Sequence, residues 1–125
     1  MAEGRAAGGA PIWKTMVELT KQAFAKALAK GVKISYGTDA GGYAWTENQA
    51  QEFAYMVRYG MTPMQAIQSA TSVAAALLGQ EANLGSIEPG RFADVVAVKG
   101  DPLADITELQ RVSFVMKGGS VFKQE

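Results

Sequence analysis

Residues Gly31 to Gly41 read Gly-Val-Lys-Ile-Ser-Tyr-Gly-Thr-Asp-Ala-Gly. Between Val32 and Tyr36 apolar and polar residues alternate, and a β-branched and aromatic alternation of this kind predicts a strand. Gly37 ends the predicted strand and begins a glycine-rich loop that carries Asp39. Loops of this kind, between the carboxyl end of a strand and a helix, are where α/β proteins place catalytic groups. Asp39 is therefore a candidate catalytic carboxylate.

The spacing alone leaves a second interpretation of Asp39 open. Aspartate is common in turns, where its carboxylate accepts hydrogen bonds from nearby backbone N–H groups. The glycines around Asp39 do not have the G-x-G-x-x-G or P-loop spacing. A phosphate-binding loop is therefore not predicted.

Helices are predicted on both sides of the loop, because the capping-box spacing occurs three times. The pairs are Thr15 with Glu18, Thr46 with Gln49 and Thr62 with Gln65, and the helices they open are predicted to end at Gly31, Gly60 and Gly79. A kink with a restart at Ser72 is an alternative within the last helix. Further along, strands are predicted over 93–98, 112–116 and 121–122, the last two joined through Gly118 and Gly119.

The composition is that of one globular domain of 125 residues with a formal net charge of zero. No basic run is present, and no apolar stretch approaches the roughly 20 residues needed to cross a bilayer, so we expect neither nucleic acid nor membrane as a partner. The chain has no cysteine, which favours a cytoplasmic location. It also has no histidine, the commonest general base and transition-metal ligand.

Other residues near the loop are weaker candidates. Tyr43 and Trp45 could line a substrate pocket, or they could form a hydrophobic staple at the start of the next helix. Glu47 and Glu52 could join Asp39 as carboxylates. We instead expect Glu47 to lie in the first turn of that helix, where an acid complements the helix dipole.

Four blocks taken together resemble the amidohydrolase superfamily, and most of all its branch of Xaa-Pro dipeptidases and imidazolonepropionases. The blocks are Gly31–Gly41, Gly60-Met-Thr-Pro-Met-Gln-Ala-Ile67, Ala70-Thr-Ser-Val-Ala-Ala-Ala-Leu-Leu-Gly79 and Leu84-Gly-Ser-Ile-Glu-Pro-Gly-Arg-Phe-Ala-Asp-Val-Val-Ala97. They follow the order and spacing of the family, and the likeness covers about residues 20 to 123.

The resemblance implies an α/β fold: the C-terminal fragment of a metal-dependent (β/α)8 barrel hydrolase, plus strands of its small β-sandwich. Residues 1–13 are then a flexible lead-in, 14–80 hold the last barrel strand and its helices, and 81–125 belong to the sandwich. The resemblance implies that Asp39 ligates a divalent metal, zinc in the complete enzyme, and helps to remove a proton from the attacking water. The substrates implied are Xaa-Pro dipeptides, other amides or cyclic amides.

The family's histidine ligands belong to upstream strands, and this chain has none. A catalytic zinc needs about three protein ligands, so we expect no metal to be held stably by this chain alone. Two hypotheses follow. The chain is a fragment, inactive by itself, whose partner is the missing upstream barrel segment, or it is a non-catalytic binding module that buries its open faces by self-association. A small-molecule-binding domain around Tyr43 and Trp45 is a third alternative.

Overall fold

A computed structural model describes residues 12–41 and 44–125, which divide into two units, one ending at Val32 and one beginning at Lys33. The first unit contains one helix, α1 (Ile12–Ala29), which ends two residues before the predicted stop at Gly31, where φ is 70°. The helix begins at Ile12 and not at Thr15, so positions 12 and 13 of the predicted lead-in are helical. Positions 1–11 of the lead-in lie outside the described residues.

The second unit opens with helices. These are α2 (Gln51–Arg58), α3 (Pro63–Ala70) and α4 (Ser72–Leu77). The capping box of α3 is confirmed: the Gln65 N–H donates to the Thr62 hydroxyl over 3.2 Å, and the Thr62 N–H donates to the Gln65 side chain over 2.9 Å. The restart at Ser72 is also confirmed, because Thr71 leaves the helical conformation and separates α3 from α4.

The start of α2 differs from the prediction. The capping box of Thr46 and Gln49 does not form, and the helix begins at Gln51 without a side-chain cap. The carboxamide of Asn48 instead accepts the Ala50 N–H over 3.1 Å, which is a local turn that competes with helical bonding. The turn made by Asn48, three residues before the helix begins, therefore takes the place of the capping box predicted for Thr46 and Gln49.

The described residues of the second unit also form one antiparallel sheet. Its strands are β1 (Val95–Ala97), β2 (Phe114–Lys117) and β3 (Ser120–Gln124), in the order β1-β2-β3. The predicted hairpin is confirmed: Gly118 and Gly119 join β2 to β3 with φ of 54° and 81°, the positive values that tight hairpin turns require. A 3-10 helix (Ile106–Gln110), which the sequence did not predict, precedes β2.

The predicted strand at Val32–Tyr36 is wrong as a strand, because no described segment pairs with it. Its main chain bonds to a helix end instead: the Tyr36 N–H donates to the Ser69 carbonyl over 3.0 Å. A strand is defined by its ladder, and a single extended segment has none. The described fold is thus of mixed helix and strand content, with one three-stranded sheet and neither a closed barrel nor a two-layer sandwich.

The core of the second unit is small and lies between α2, α3, α4 and the 3-10 helix. Its buried side chains are Met56, Met61, Ala66, Ser69, Ala75 and Ile106. Several large apolar side chains are exposed to solvent. Leu77 is 74% exposed, Ile87 85%, Phe92 62% and Phe122 73%. Among the described residues, no helix is both long and apolar enough to cross a membrane.

Arg91 organises the connection between α4 and the sheet. Its guanidinium donates to the Leu84 carbonyl over 3.0 Å and to the Glu81 carbonyl, and it pairs with the Glu88 carboxylate at 3.0 Å. Backbone carbonyls in irregular segments need such donors because no helix or sheet supplies them. One side chain thus holds the turn next to α4.

Candidate active site

Asp39 lies in the loop after the extended segment 33–36, and its side chain is exposed. Among the described residues it is the non-glycine residue with positive φ, at 50°. This left-handed conformation is uncommon for residues with a Cβ and clusters at functional sites, although aspartate and asparagine tolerate it best. The candidate carboxylate therefore lies on a residue in the left-handed backbone conformation.

Tyr36 lies three positions before Asp39 and is fixed at several points. Its hydroxyl donates to the Gln49 carbonyl over 2.6 Å, and its ring packs against Phe53 with a centroid distance of 4.4 Å. The first contact reaches the segment before α2, and the second reaches α2 itself. The end of the extended segment is thereby attached to the helix that follows the loop.

Ser69 attaches the same segment to α3. Its carbonyl accepts the Tyr36 N–H and the Ser35 hydroxyl, at 3.0 and 3.4 Å. The Ser69 side chain is 1% exposed and its hydroxyl donates to the Ala66 carbonyl over 2.6 Å. Burial of a hydroxyl costs little free energy when the group has a hydrogen-bond partner. The Ser69 hydroxyl thereby stabilises the end of α3 to which the extended segment bonds.

A cavity of about 330 Å³ lies beside the loop and is lined by Thr38, by residues 47–49 and 51–52, and by Tyr55. Glu52 is half-buried there, and this burial raises the pKa of its carboxyl. Glu47 is exposed in the turn before α2, so its predicted place in the first helical turn is wrong. The helix starts too late to include it.

We predict that Glu52→Gln stabilises the chain at neutral pH. A carboxyl whose pKa is higher in the folded than in the unfolded chain favours folding below its unfolded pKa, and this contribution is lost as the pH rises through the folded pKa. Removing the charge should raise Tm by about 1–3 °C at pH 7. Thermal unfolding at pH 7 and pH 3.5 measures this, with the exposed Glu47→Gln as control. A lower Tm at pH 7 contradicts the prediction.

Of the two aromatic candidates for a substrate pocket, Tyr43 and Trp45, the structure describes only Trp45. Trp45 is 76% exposed and is not among the residues that line the cavity beside Thr38. Tyr43 lies outside the described residues.

The donor set for a metal is incomplete within the described residues. No three side chains of the types histidine, cysteine, aspartate and glutamate come close enough there to hold an ion. A catalytic zinc takes about three protein ligands and keeps one position open. Asp39 can supply one carboxylate, so the described residues by themselves do not fit such a site.

Sequence reasoning singled out Asp39 but not the side chains that fix its loop. Tyr36 was assigned to the predicted strand only because aromatic residues favour strands. Its contacts reach Gln49, 13 positions away, and Ser69, 33 positions away. The hydroxyl of the adjacent Ser35 also bonds to Ser69, 34 positions away. No local pattern encodes such contacts.

Comparisons with known proteins give one consistent result. The Amidohydrolase family matches residues 16–122. The ochratoxinase of Aspergillus niger is 41% identical over 106 residues, which is 82% of this chain and 22% of that protein. The crystal structure of a Xaa-Pro dipeptidase with bound methionine in the active site superposes with a TM-score of 0.78 at 50% identity, over 82% of this chain and 25% of that one.

A more distant relative is the 5-methylthioadenosine/S-adenosylhomocysteine deaminase of Symbiobacterium thermophilum, at 32% identity over 62% of this chain and 20% of that protein. The chain thus spans only a fifth to a quarter of the length of these relatives.

Proposed function

The chain belongs to the amidohydrolase family, and on that premise we propose that it is the C-terminal part of a metal-dependent hydrolase of amide or peptide bonds. The observation that carries the proposal is the 50% identity and TM-score of 0.78 with a Xaa-Pro dipeptidase. Dipeptides of the Xaa-Pro type are the substrates we propose first, and cyclic amides are the second class. A cytoplasmic location belongs to the same proposal and rests on the absence of cysteine.

The proposed role of Asp39 follows from the chemistry of its side chain. An ionised carboxylate accepts hydrogen bonds only, so it can orient a water molecule and take its proton as the oxygen attacks an amide carbonyl. The carboxylate is exposed at a loop, which gives a substrate access to it. In the complete enzyme we propose that Asp39 also contributes one ligand to a divalent ion, with zinc as the expected metal.

The other ligands must come from outside the described residues of this chain, which contains no histidine or cysteine at all. We propose that an upstream barrel segment supplies them and is the partner of this chain. The isolated chain is then expected to be inactive and to hold no metal stably.

Complementation tests this proposal. The 125-residue chain is assayed with Zn²⁺ on Xaa-Pro dipeptides, alone and mixed with the upstream part of the Xaa-Pro dipeptidase relative, and this mixture is called the reconstituted enzyme below. We expect turnover only from the mixture, at least about 100-fold above either part, because only the mixture completes a ligand set. Turnover by the isolated chain that Asp39→Ala abolishes would show that the chain is active alone. Failure of well-folded mixtures would count against the hydrolase fragment.

The exposed apolar side chains support a second proposal, a non-catalytic module that self-associates. Leu77, Ile87 and Phe122 are 74%, 85% and 73% exposed, and large apolar side chains left in contact with solvent are the kind of surface that a partner can cover. Size-exclusion chromatography with light scattering separates the two proposals. One discrete oligomer that persists when the upstream part is added supports the module, and replacement of that oligomer by a 1:1 complex supports the hydrolase.

A further inference from the structure

We propose that Tyr36 is a positioning residue for Asp39, fixing the start of the loop that holds the carboxylate. This inference rests on the catalytic role proposed for Asp39. The hydrogen bond from the Tyr36 hydroxyl to the Gln49 carbonyl joins residues 13 positions apart, one on each side of Asp39 in sequence. It therefore closes the base of the segment that contains the carboxylate.

The geometry of this bond makes it a strong restraint. At 2.6 Å it is at the short end of the range for O–H···O bonds, and it is partly buried, so water competes weakly for either group. Phe53 holds the Tyr36 ring at a centroid distance of 4.4 Å and an interplanar angle of 31°, which fixes the direction in which the hydroxyl points.

The main chain of Tyr36 is held as well. Its N–H donates over 3.0 Å to the carbonyl of Ser69, a residue that is 1% exposed and belongs to α3. Tyr36 is thus attached to α3 through its backbone and to the start of α2 through its side chain.

The backbone conformation of Asp39 is the reason why the contacts of Tyr36 matter for the carboxylate. With φ at 50°, Asp39 occupies a conformation that persists only where the surrounding structure imposes it. Asp39 itself is exposed, so packing of its own side chain does not impose the conformation. Tyr36 is anchored three positions before Asp39 through both its backbone and its side chain, and its contacts therefore restrict where the carboxylate lies. Misplacement of a catalytic group by about 1 Å can lower a rate 100-fold.

The test removes the hydroxyl and keeps the ring, with Tyr36→Phe. In the 125-residue chain we expect amide hydrogen exchange at Thr38, Asp39 and Ala40 to become about 10-fold faster. In the reconstituted enzyme we expect kcat to fall about 10-fold with KM within about twofold, because substrate binding groups stay in place.

Thr62→Ala is the matched control, because it removes the cap of α3 and lowers Tm to a similar extent while leaving the Tyr36 bond intact. It should change neither the loop exchange nor kcat at a temperature where both variants are fully folded. The inference is overturned if Tyr36→Phe leaves exchange at Asp39 unchanged, or if Thr62→Ala lowers kcat as much as Tyr36→Phe does.

Failure of the proposed function is a distinguishable result. If Asp39→Asn retains turnover in the reconstituted enzyme, the proposed role of Asp39 fails, whatever Tyr36→Phe does. If Asp39→Asn abolishes turnover and Tyr36→Phe changes neither exchange nor kcat, only the positioning role is overturned.

Discussion

Asp39→Asn in the reconstituted enzyme is expected to lower kcat at least about 1,000-fold while leaving the fold unchanged. The carboxamide has nearly the same shape as the carboxylate, but it cannot take a proton from water and is a weaker ligand for a cation. Asparagine tolerates the left-handed conformation as well as aspartate does, so φ of 50° carries no added cost. Loss of activity then reports chemistry and not stability.

Two controls separate the role of the charge from that of the loop. Asp39→Ala should be destabilised by about 1–2 kcal/mol relative to Asp39→Asn, because a Cβ without a compensating polar group is disfavoured at positive φ. Asp101→Asn changes a loop aspartate that accepts the Leu103 N–H over 2.8 Å, and it should leave kcat within about twofold. Retention of more than about a tenth of the turnover by Asp39→Asn would refute the catalytic assignment.

Local patterns predicted those elements whose determining contacts lie within a few residues. The capping box of Thr62 and Gln65 needs only a separation of three, and the hairpin at Gly118 and Gly119 needs only two positive φ values. These two features depend on residues that are close in sequence, whereas the same spacing at Thr46 and Gln49 does not form a capping box. They were therefore correctly predicted from the sequence.

Predictions that depended on distant partners were less successful. The alternation over Val32–Tyr36 predicted a strand correctly as an extended segment but wrongly as part of a sheet, since pairing requires neighbours that the described chain does not contain. Asp39 could be named as a candidate because its residue type and its glycine-rich surroundings are local features. The bond from Tyr36 to Gln49 could not be predicted, because it joins residues 13 positions apart.

Gly85→Ala is expected to destabilise the chain by about 2–4 kcal/mol and to lower Tm by about 10 °C. A Cβ at Gly85 would lie 2.8 Å from the Ala75 Cβ, 2.8 Å from the Thr71 carbonyl oxygen and 2.9 Å from the Ser72 Cα. Two of these atoms are backbone and the third is a methyl group without a rotatable bond beyond it, so none can move aside. The glycine also has φ of 89°, which a side chain disfavours.

Gly90→Ala separates the clash from the backbone strain. Gly90 has nearly the same φ, 91°, but nothing lies within 4 Å of a Cβ built there. Its substitution should therefore cost only the conformational part, about 1–2 kcal/mol. Urea unfolding of both variants measures their free energies of unfolding. The extra loss for Gly85→Ala is the cost of moving the turn away from the junction of α3 and α4. Because α3 also carries Ser69, which accepts the Tyr36 N–H, that movement should speed amide exchange at Tyr36. Equal losses of stability in the two variants would refute close packing of this turn.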